Sequence, residues 1–219
     1  MKVSISSLVA EACPGLRAGI IKASVINSET SDALWDELQA EATRIANTYA
    51  TDTLSKRPAI AGTRQAYKTF GKDPARYRVS SEALCRRAIR GLDLYRINTL
   101  VDLINVVSMR SGYSIGGFDA DRIEGDMTLG VGTADDLFHG IGRGVLNIEG
   151  MPVYRDNVGG VGTPTSDEER TKITMDTTHL LITINAYATE MPLEECMQWT
   201  IELLEKYAQA TNIESYIIK

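Results

Sequence analysis

One segment, TLVDLINVVSMRSGYSIGGFD from Thr99 to Asp119, limits the possible folds more than any other part of the chain. If Thr99 to Ser111 form a helix, apolar side chains point in almost every direction around its axis. Such a helix has to be packed on most sides, so we expect it at the centre of the protein. Gly112 follows it, where a left-handed C-terminal cap is favoured.

A narrow stripe of other side chains interrupts this apolar surface. Asn98, Asp102, Asn105 and Met109 follow one another at spacings that place them within an arc of about 60°. A buried amide or carboxylate without a partner costs roughly 1 to 3 kcal/mol, so each polar group needs a hydrogen bond. Two interpretations stay open. The groups bond to neighbouring backbone, with Asn98 as the helix cap, or they form the floor of a ligand pocket walled by YSIGGFD.

Hydrophobic spacing and capping residues predict the remaining elements. LRAGIIKASVI, from Leu16, and THLLITINAYA, from Thr178, are rich in β-branched residues and are typical of strands. Helices are expected from Ser31 to about Ala50, from a cap at Ser80 or Ser81 to Gly91, and from Pro192 onward. IAGTRQAYKTF is ambiguous, and SYIIK fits an edge strand.

The glycines are concentrated in one half of the chain. Thirteen of the 18 lie between Gly112 and Gly162, separated by short β-prone pieces such as MTLGV, GVLNI and MPVYR. This pattern of glycines is typical of short strands joined by exposed turns. We therefore predict the α+β class, as a single domain over residues 1–219, with a mixed or antiparallel sheet of short strands packed with about four to six helices.

The charge is unevenly distributed. The net charge is -6, but Lys56 to Arg96 hold 11 Lys or Arg against three acids. A polyanion responds to the local field, since Lys and Arg displace counterions only where they meet phosphate. The tract therefore suggests a nucleic-acid contact, and a solvated helix face is the alternative interpretation.

Several classes of protein are disfavoured. No run of about 18 apolar residues or signal-peptide pattern is visible, so we expect a cytoplasmic protein without a membrane span. The cysteines Cys13, Cys85 and Cys196 are odd in number and widely spaced, which argues against a disulfide framework or a zinc site. We expect neither a metal nor a cofactor.

The segment from Pro74 to Ala188 resembles the B3/B4 domain of the bacterial phenylalanyl-tRNA synthetase beta subunit, a domain that also occurs as a freestanding protein. The matching pieces are RYRVSSEALCRR, INTLVDLIN and GYSIGGFDAD, the last followed by Gly125-Asp126. Farther on, PVYRD and SDEERTKIT resemble the closing strand of that domain and its Ser/Asp-x-x-Arg-Thr segment. The combination is specific, whereas single pieces of it are not.

The resemblance implies a domain that contacts tRNA and hydrolyses a wrongly attached amino acid. It places Asn98, Thr99 and Asp102 in a pocket-forming asparagine motif, and it places Gly116 to Asp119 on a turn that carries a histidine in the family. Gly116 occupies the histidine position, so this chain lacks the imidazole that such a mechanism would use.

Deacylation without that imidazole needs a water held by backbone donors and carboxylates. On this hypothesis Gly116 and Gly117 donate to the ester, Asp102 or Asp167 meets the substrate ammonium, and Arg170 contacts the terminal phosphate. Asp102 and Asp167 are the candidate catalytic residues. The other candidate substrate-binding residues are Asn98, Thr99, Asn105, Asp119, Ser166 and Thr171. Phosphate contacts are predicted for Arg76, Arg78, Arg86, Arg87, Arg90 and Arg96, with Tyr77 or Tyr95 stacking on bases.

The expected partner is tRNA or aminoacyl-tRNA, and neither DNA nor a membrane is expected. Two other classes stay open. A non-catalytic module would bind a free amino acid, a small metabolite or RNA without turnover, and the acidic pI near 5.1 favours it. A purely structural core predicts that no cavity lies beside the helix.

Overall fold

The structure is a computed structural model that describes residues 1–219. The helices are α1 (Ser7–Ala12), α2 (Asp32–Thr48), α3 (Pro58–Thr69), α4 (Ser80–Ile89), α5 (Thr99–Ser111) and α6 (Leu193–Ala208). The strands are β1 (Val3–Ile5), β2 (Arg17–Ser24), β3 (Ser114–Asp119), β4 (Met127–Val131), β5 (His139–Gly140), β6 (Gly144–Val145), β7 (Pro152–Arg155), β8 (Gly160–Gly162), β9 (His179–Ala186) and β10 (Thr211–Ile218). None of the helices combines the length and the apolar composition needed to cross a membrane.

The strands form two four-stranded sheets and one short ribbon of β5 and β6. One sheet is antiparallel, in the order β10-β2-β9-β3. The other has the order β1-β4-β7-β8 and is mixed, because β1 runs parallel to β4 whereas the other pairs are antiparallel. The predicted α+β class, with six helices and mixed and antiparallel sheets of short strands, is confirmed.

The antiparallel sheet lies between the helices and the mixed sheet. Successive side chains of a strand point to opposite faces, and the cores follow this alternation. Ile21 and Ile182 pack in the core that the helices share, whereas Ile20 and Leu181, one position earlier, pack against Leu129 of the mixed sheet. Each face of this sheet is therefore buried, which matches the apolar runs of β2 and β9 in the sequence.

Helix α5 occupies the central position that its sequence predicts. Ten of its 13 side chains are buried. The Asn98 side chain accepts a hydrogen bond from the Val101 N–H at 3.0 Å and caps the helix. Gly112 ends it with a φ of 73°, in the left-handed region that favours glycine. Both capping predictions are confirmed.

Two local predictions need correction, and one segment that was left open is resolved. Helix α4 begins after Val79, and no serine side chain caps it. The ambiguous segment is helical and forms α3, which begins at Pro58. The YSIGGFD segment is not a turn, because Ser114 to Asp119 form β3 and pair with β9. Strand pairing in the folded protein overrides the weak strand preference of two glycines.

Candidate functional site

A front cavity of about 150 Å³ lies between α4, α5 and β3. Its apolar wall is formed by Leu84, Val101, Ile104, Ile115 and Ile173. Its polar wall is formed by Ser80, Asn105, Ser108, Thr163, Ser166 and Asp167, and Gly117 completes the lining. The cavity thus combines an aliphatic surface with a few converging polar groups, which is the usual composition of a small-molecule site.

Asp167 is the one acidic residue in this cavity. Burial raises the pKa of its carboxyl to about 7, and the Gly117 backbone N–H acts in the opposite direction. The loop that carries Asp167 is held by the ribbon, since the Ile141 N–H donates to the Asp167 carbonyl at 3.1 Å. A carboxyl with a pKa near neutrality can exchange a proton at physiological pH.

A second space, the rear cavity, lies on the opposite face of β3, between the two sheets. It has a volume of about 10 Å³, and Gly116, Asp167, Thr183 and Tyr187 are among its lining residues. Asp167 and Thr163 line both cavities. The Asp167 carboxyl therefore stands between a front space that a ligand can enter and a rear space of about the size of one water molecule.

The polar stripe of α5 does not all face the front cavity. Asn105 lines it, together with Val101, Ile104 and Ser108. Asp102 is fully buried elsewhere, where it accepts hydrogen bonds from the Thr30 hydroxyl and, at 3.1 Å, from the Ile97 N–H. Asp102 is thus bonded to neighbouring protein and is not placed to act on a ligand in the cavity. Of the polar groups in the stripe, Asn98 and Asp102 are therefore bonded within the protein, whereas Asn105 lines the cavity.

The two glycines of β3 also separate. Gly117 lines the front cavity, whereas Gly116 lines the rear one, as the alternation of a strand requires. The prediction that Gly116 and Gly117 together wall a single pocket is therefore wrong. A Cβ at Gly117 would lie 2.4 Å from Ile104 Cδ1, so a glycine is needed here for α5 to pack closely.

Several predicted substrate-binding residues lie outside both cavities. Thr99 donates from its hydroxyl to the Glu29 carbonyl, and Asn98 is used as the helix cap. Arg170 forms an ion pair with Asp156, with nitrogen–oxygen distances of 2.9 and 3.0 Å. This pairing corrects the prediction that Arg170 contacts a phosphate of the ligand.

Asp119 and Thr171 are also occupied within the protein. Asp119 accepts hydrogen bonds from the Asp121 N–H and the Thr177 hydroxyl. The Thr171 hydroxyl donates to the Val161 carbonyl. Both side chains hold loops in place, which corrects their predicted contact with a substrate.

A basic groove of about 420 Å³ opens beside the front cavity. Five arginines line it: Arg78, Arg86, Arg87, Arg90 and Arg143. Tyr95, which is 67% exposed, also lines the groove, and the Arg87 guanidinium lies 4.3 Å from the centre of its ring. A cationic groove with an exposed aromatic ring is suited to a nucleic-acid strand, whose bases stack and whose phosphates bind arginine.

Buried Glu82 organises the base of this groove. It accepts hydrogen bonds at 2.8 Å from Arg64 and from Arg86, and Arg78 lies 3.8 Å away. Its carboxylate is fully buried, so this cluster fixes the position of α4 and of the arginines that the helix carries. Arg87 and Arg90 form no ion pair with an acidic side chain, so their positive charges are available to a ligand in the groove.

Two predicted phosphate-binding arginines lie away from the groove. Arg96 donates at 2.7 Å to the Thr30 carbonyl and to Asp32, so it is occupied within the protein and does not line the groove. Arg76 is exposed next to Tyr77 and does not line the groove. The contacts predicted for Arg96 and Arg76 are thus not supported by the geometry.

Other residues of the site were not predicted from the sequence. Arg143 reaches the groove from the glycine-rich ribbon, far from the basic tract in sequence. Ser80 and Leu84 belong to the front cavity through α4, and Ile173 closes it from a loop. The spacing of Ser80 and Leu84 by four residues does place them on one helix face, but nothing in the sequence indicates that this face lines a cavity.

One protein family matches more than half of the chain. The family described as B3/4 domain matches residues 62–197, a range that includes α4, α5, β3 and Asp167. An N-terminal fragment of the phenylalanyl-tRNA synthetase beta-subunit from Pyrococcus horikoshii is similar to the chain at 14% sequence identity and a TM-score of 0.46. The likeness covers 99% of this chain and 50% of that chain, so the chain spans half the length of the fragment. No curated protein matches the chain.

Proposed function

Because the chain belongs to the B3/4 domain family, we propose that it binds the aminoacylated end of a tRNA and hydrolyses the ester that joins the amino acid to the ribose. The basic groove receives the RNA strand, and the front cavity receives the amino acid. Asp167 serves as the acid–base residue. This proposal retains Asp167 as the candidate catalytic group and replaces Asp102, which is buried elsewhere.

The adjacency of groove and cavity is the observation that carries the proposal. Ser80, Leu84 and Asn105 line both spaces, so the groove and the front cavity lie next to each other. A strand bound along the arginines therefore brings its end to the mouth of the front cavity. Neither space alone would favour an RNA-linked amino acid over a free polyanion or a free small molecule.

The chemistry of Asp167 fits ester hydrolysis. With a pKa near 7, a large fraction of the carboxyl is ionised at neutral pH and can accept a proton from an attacking water. The water oxygen bonds to the carbonyl carbon, and the ribose oxygen leaves with a proton. A base of this kind supplies a factor of about 10² to 10⁴ in rate in known enzymes.

The charge of the front cavity favours an ester over a free amino acid. Its lining includes one carboxyl and no Lys, Arg or His. The carboxylate of a free amino acid would meet no cation there, whereas an ester is neutral at that point. The alternative function, a module that binds a free amino acid, is disfavoured on this ground.

A panel of aminoacyl-tRNAs with different amino acids tests the proposal. We expect loss of the ester with at least one of them, measured as release of labelled amino acid, and little thermal stabilisation by the matching free amino acids. Stabilisation by a free amino acid without ester loss would support the non-catalytic module. Neither effect with any pair would contradict both functions.

A further inference from the structure

The rear cavity has a polar wall that hydrogen bonds within the protein only partly satisfy. The Tyr154 hydroxyl donates to Asn185 at 2.7 Å, and the Asn185 amide donates to the Ser114 carbonyl at 3.3 Å. The hydroxyl oxygens of Thr183 and Tyr187 are buried as well, and neither makes a hydrogen bond of good geometry within the protein, although the Tyr154 hydroxyl lies close to Thr183. Buried polar groups in folded proteins are nearly always satisfied, either by protein or by ordered water.

Two glycines make room for the Phe118 ring beside these groups. A Cβ at Gly116 would lie 2.9 Å from Thr183 Oγ1, and a Cβ at Gly162 would lie 2.7 Å from Asp167 Oδ1. Both added atoms would also lie within 2.6 Å of Phe118 Cζ, so the two positions are adjacent. The Thr183 hydroxyl and the Asp167 carboxyl thus border the same small space.

The volume of the rear cavity limits what it can hold. A volume of about 10 Å³ is close to the minimum for one water molecule, and a buried water requires two to four polar partners. We propose that the rear cavity is a permanent water site, in which one water molecule bridges the hydroxyls of Thr183 and Tyr187 and the carboxyl of Asp167.

This water makes Thr183 and Tyr187 positioning residues for Asp167. The titratable residues that line the two cavities, apart from Asp167, are Tyr154 and Tyr187. Burial raises the pKa of Tyr187 well above its usual value, so this side chain stays neutral. A bridging water therefore donates a hydrogen bond to the Asp167 carboxyl, in addition to the one from the Gly117 N–H. This second donor favours the ionised form of the carboxyl.

The inference concerns the same carboxyl as the proposed function but needs no turnover. Thr183→Val removes one of the water's partners while nearly conserving the shape of the side chain. We expect it to raise the pKa of Asp167, followed by carbon-detected NMR titration, by roughly half a unit or more. Tyr187→Phe should act in the same direction.

Thr200→Val is the matched control. Thr200 is equally buried, but its hydroxyl donates to the Cys196 carbonyl at 2.7 Å, far from the cavity. If the pKa of Asp167 were the same in Thr183→Val and Thr200→Val, the water site would be overturned.

A second measurement uses the unmodified protein, so it does not depend on how well a variant folds. A water held in this cavity should give a long-lived magnetisation transfer to the Thr183 methyl protons. Absence of that signal, with such transfer observed elsewhere in the protein, would also overturn the proposal. Neither result depends on ester hydrolysis, so the water site and the proposed function can fail separately.

Discussion

Asp167 is half-buried, and its desolvated carboxyl has no cationic partner in its cavities, which makes stability depend on pH. Its pKa in the folded protein, about 7, is above the value of 3.8 expected in the unfolded chain. Between these two values the folded state binds more protons, so the free energy of unfolding falls as the pH rises from about 4 to about 7.

Asp167→Asn removes the carboxyl, and with it the fall in the free energy of unfolding as the pH rises. At pH 8 we expect the variant to be more stable than the wild type by roughly 2 kcal/mol, and at pH 4 the difference should vanish. Urea unfolding at the two pH values measures it. A variant that is equally or less stable than the wild type at pH 8 would show that the carboxyl is not held in an unfavourable site.

At this scale the sequence predicts residue types better than their partners. Asp102 and Asn105 are separated by about 60° on α5, and this angle is visible in the sequence. Asn105 lines the cavity, whereas Asp102 is buried against Thr30, which is 72 residues away in the chain. Periodicity contains no information about such a partner.

At the scale of elements, the corner between α5 and β3 holds the site together. Gly112 has a φ of 73°, and a Cβ there would lie 2.9 Å from the Glu190 carboxylate and 3.0 Å from the Arg57 guanidinium. Gly112→Ala should lower the free energy of unfolding by roughly 1 to 2 kcal/mol, because it combines a left-handed backbone with a close contact. Thermal unfolding detects this change.

Gly130→Ala is the control for that substitution. Gly130 lies in β4, and an added Cβ would meet no atom within 4 Å. We expect this variant to unfold within a few tenths of a kcal/mol of the wild type or to be slightly more stable. Equal destabilisation by both variants would show that the corner at Gly112 has no special role in stability.

Helix α4 should depend on its buried carboxylate. Glu82→Ala leaves Arg64 and Arg86 without their acidic partner, so we expect a loss of roughly 3 kcal/mol or more in denaturant unfolding. The exposed pair of Glu169 and Lys172 provides the comparison, because Glu169→Ala should cost less than about 1 kcal/mol. Similar small effects in both variants would show that Glu82 does not hold the helix.

The elements that sequence patterns predicted best are those whose faces have a clear period. Helices α2 and α5 and strands β2 and β9 follow their apolar spacing. Strand β3 was expected to be a turn, because the family resemblance places Gly116 to Asp119 on a turn. Pairing with β9 decides its conformation, and that pairing joins residues 61 to 71 positions apart.

At the scale of the whole molecule, the uneven charge matters more than the net charge of -6. Arg90→Ala should weaken tRNA binding several-fold and reduce the salt dependence of the affinity, because it removes one phosphate contact from the groove. Arg96→Ala removes the same charge from a residue that does not line the groove and should change the affinity little. Binding titrations at several salt concentrations distinguish the two. Equal losses would indicate a non-specific electrostatic effect.

Delivery of an ester to Asp167 by an RNA strand in the groove is the core of the proposed function. It is tested most directly by single-turnover hydrolysis of a susceptible aminoacyl-tRNA, measured from pH 5 to pH 9 with the wild type and with Asp167→Asn. We expect the wild-type rate to rise with pH and level off above about pH 7, and the variant to be slower by about 10² or more while still binding tRNA. Equal rates and equal pH profiles for the two proteins would contradict the claim.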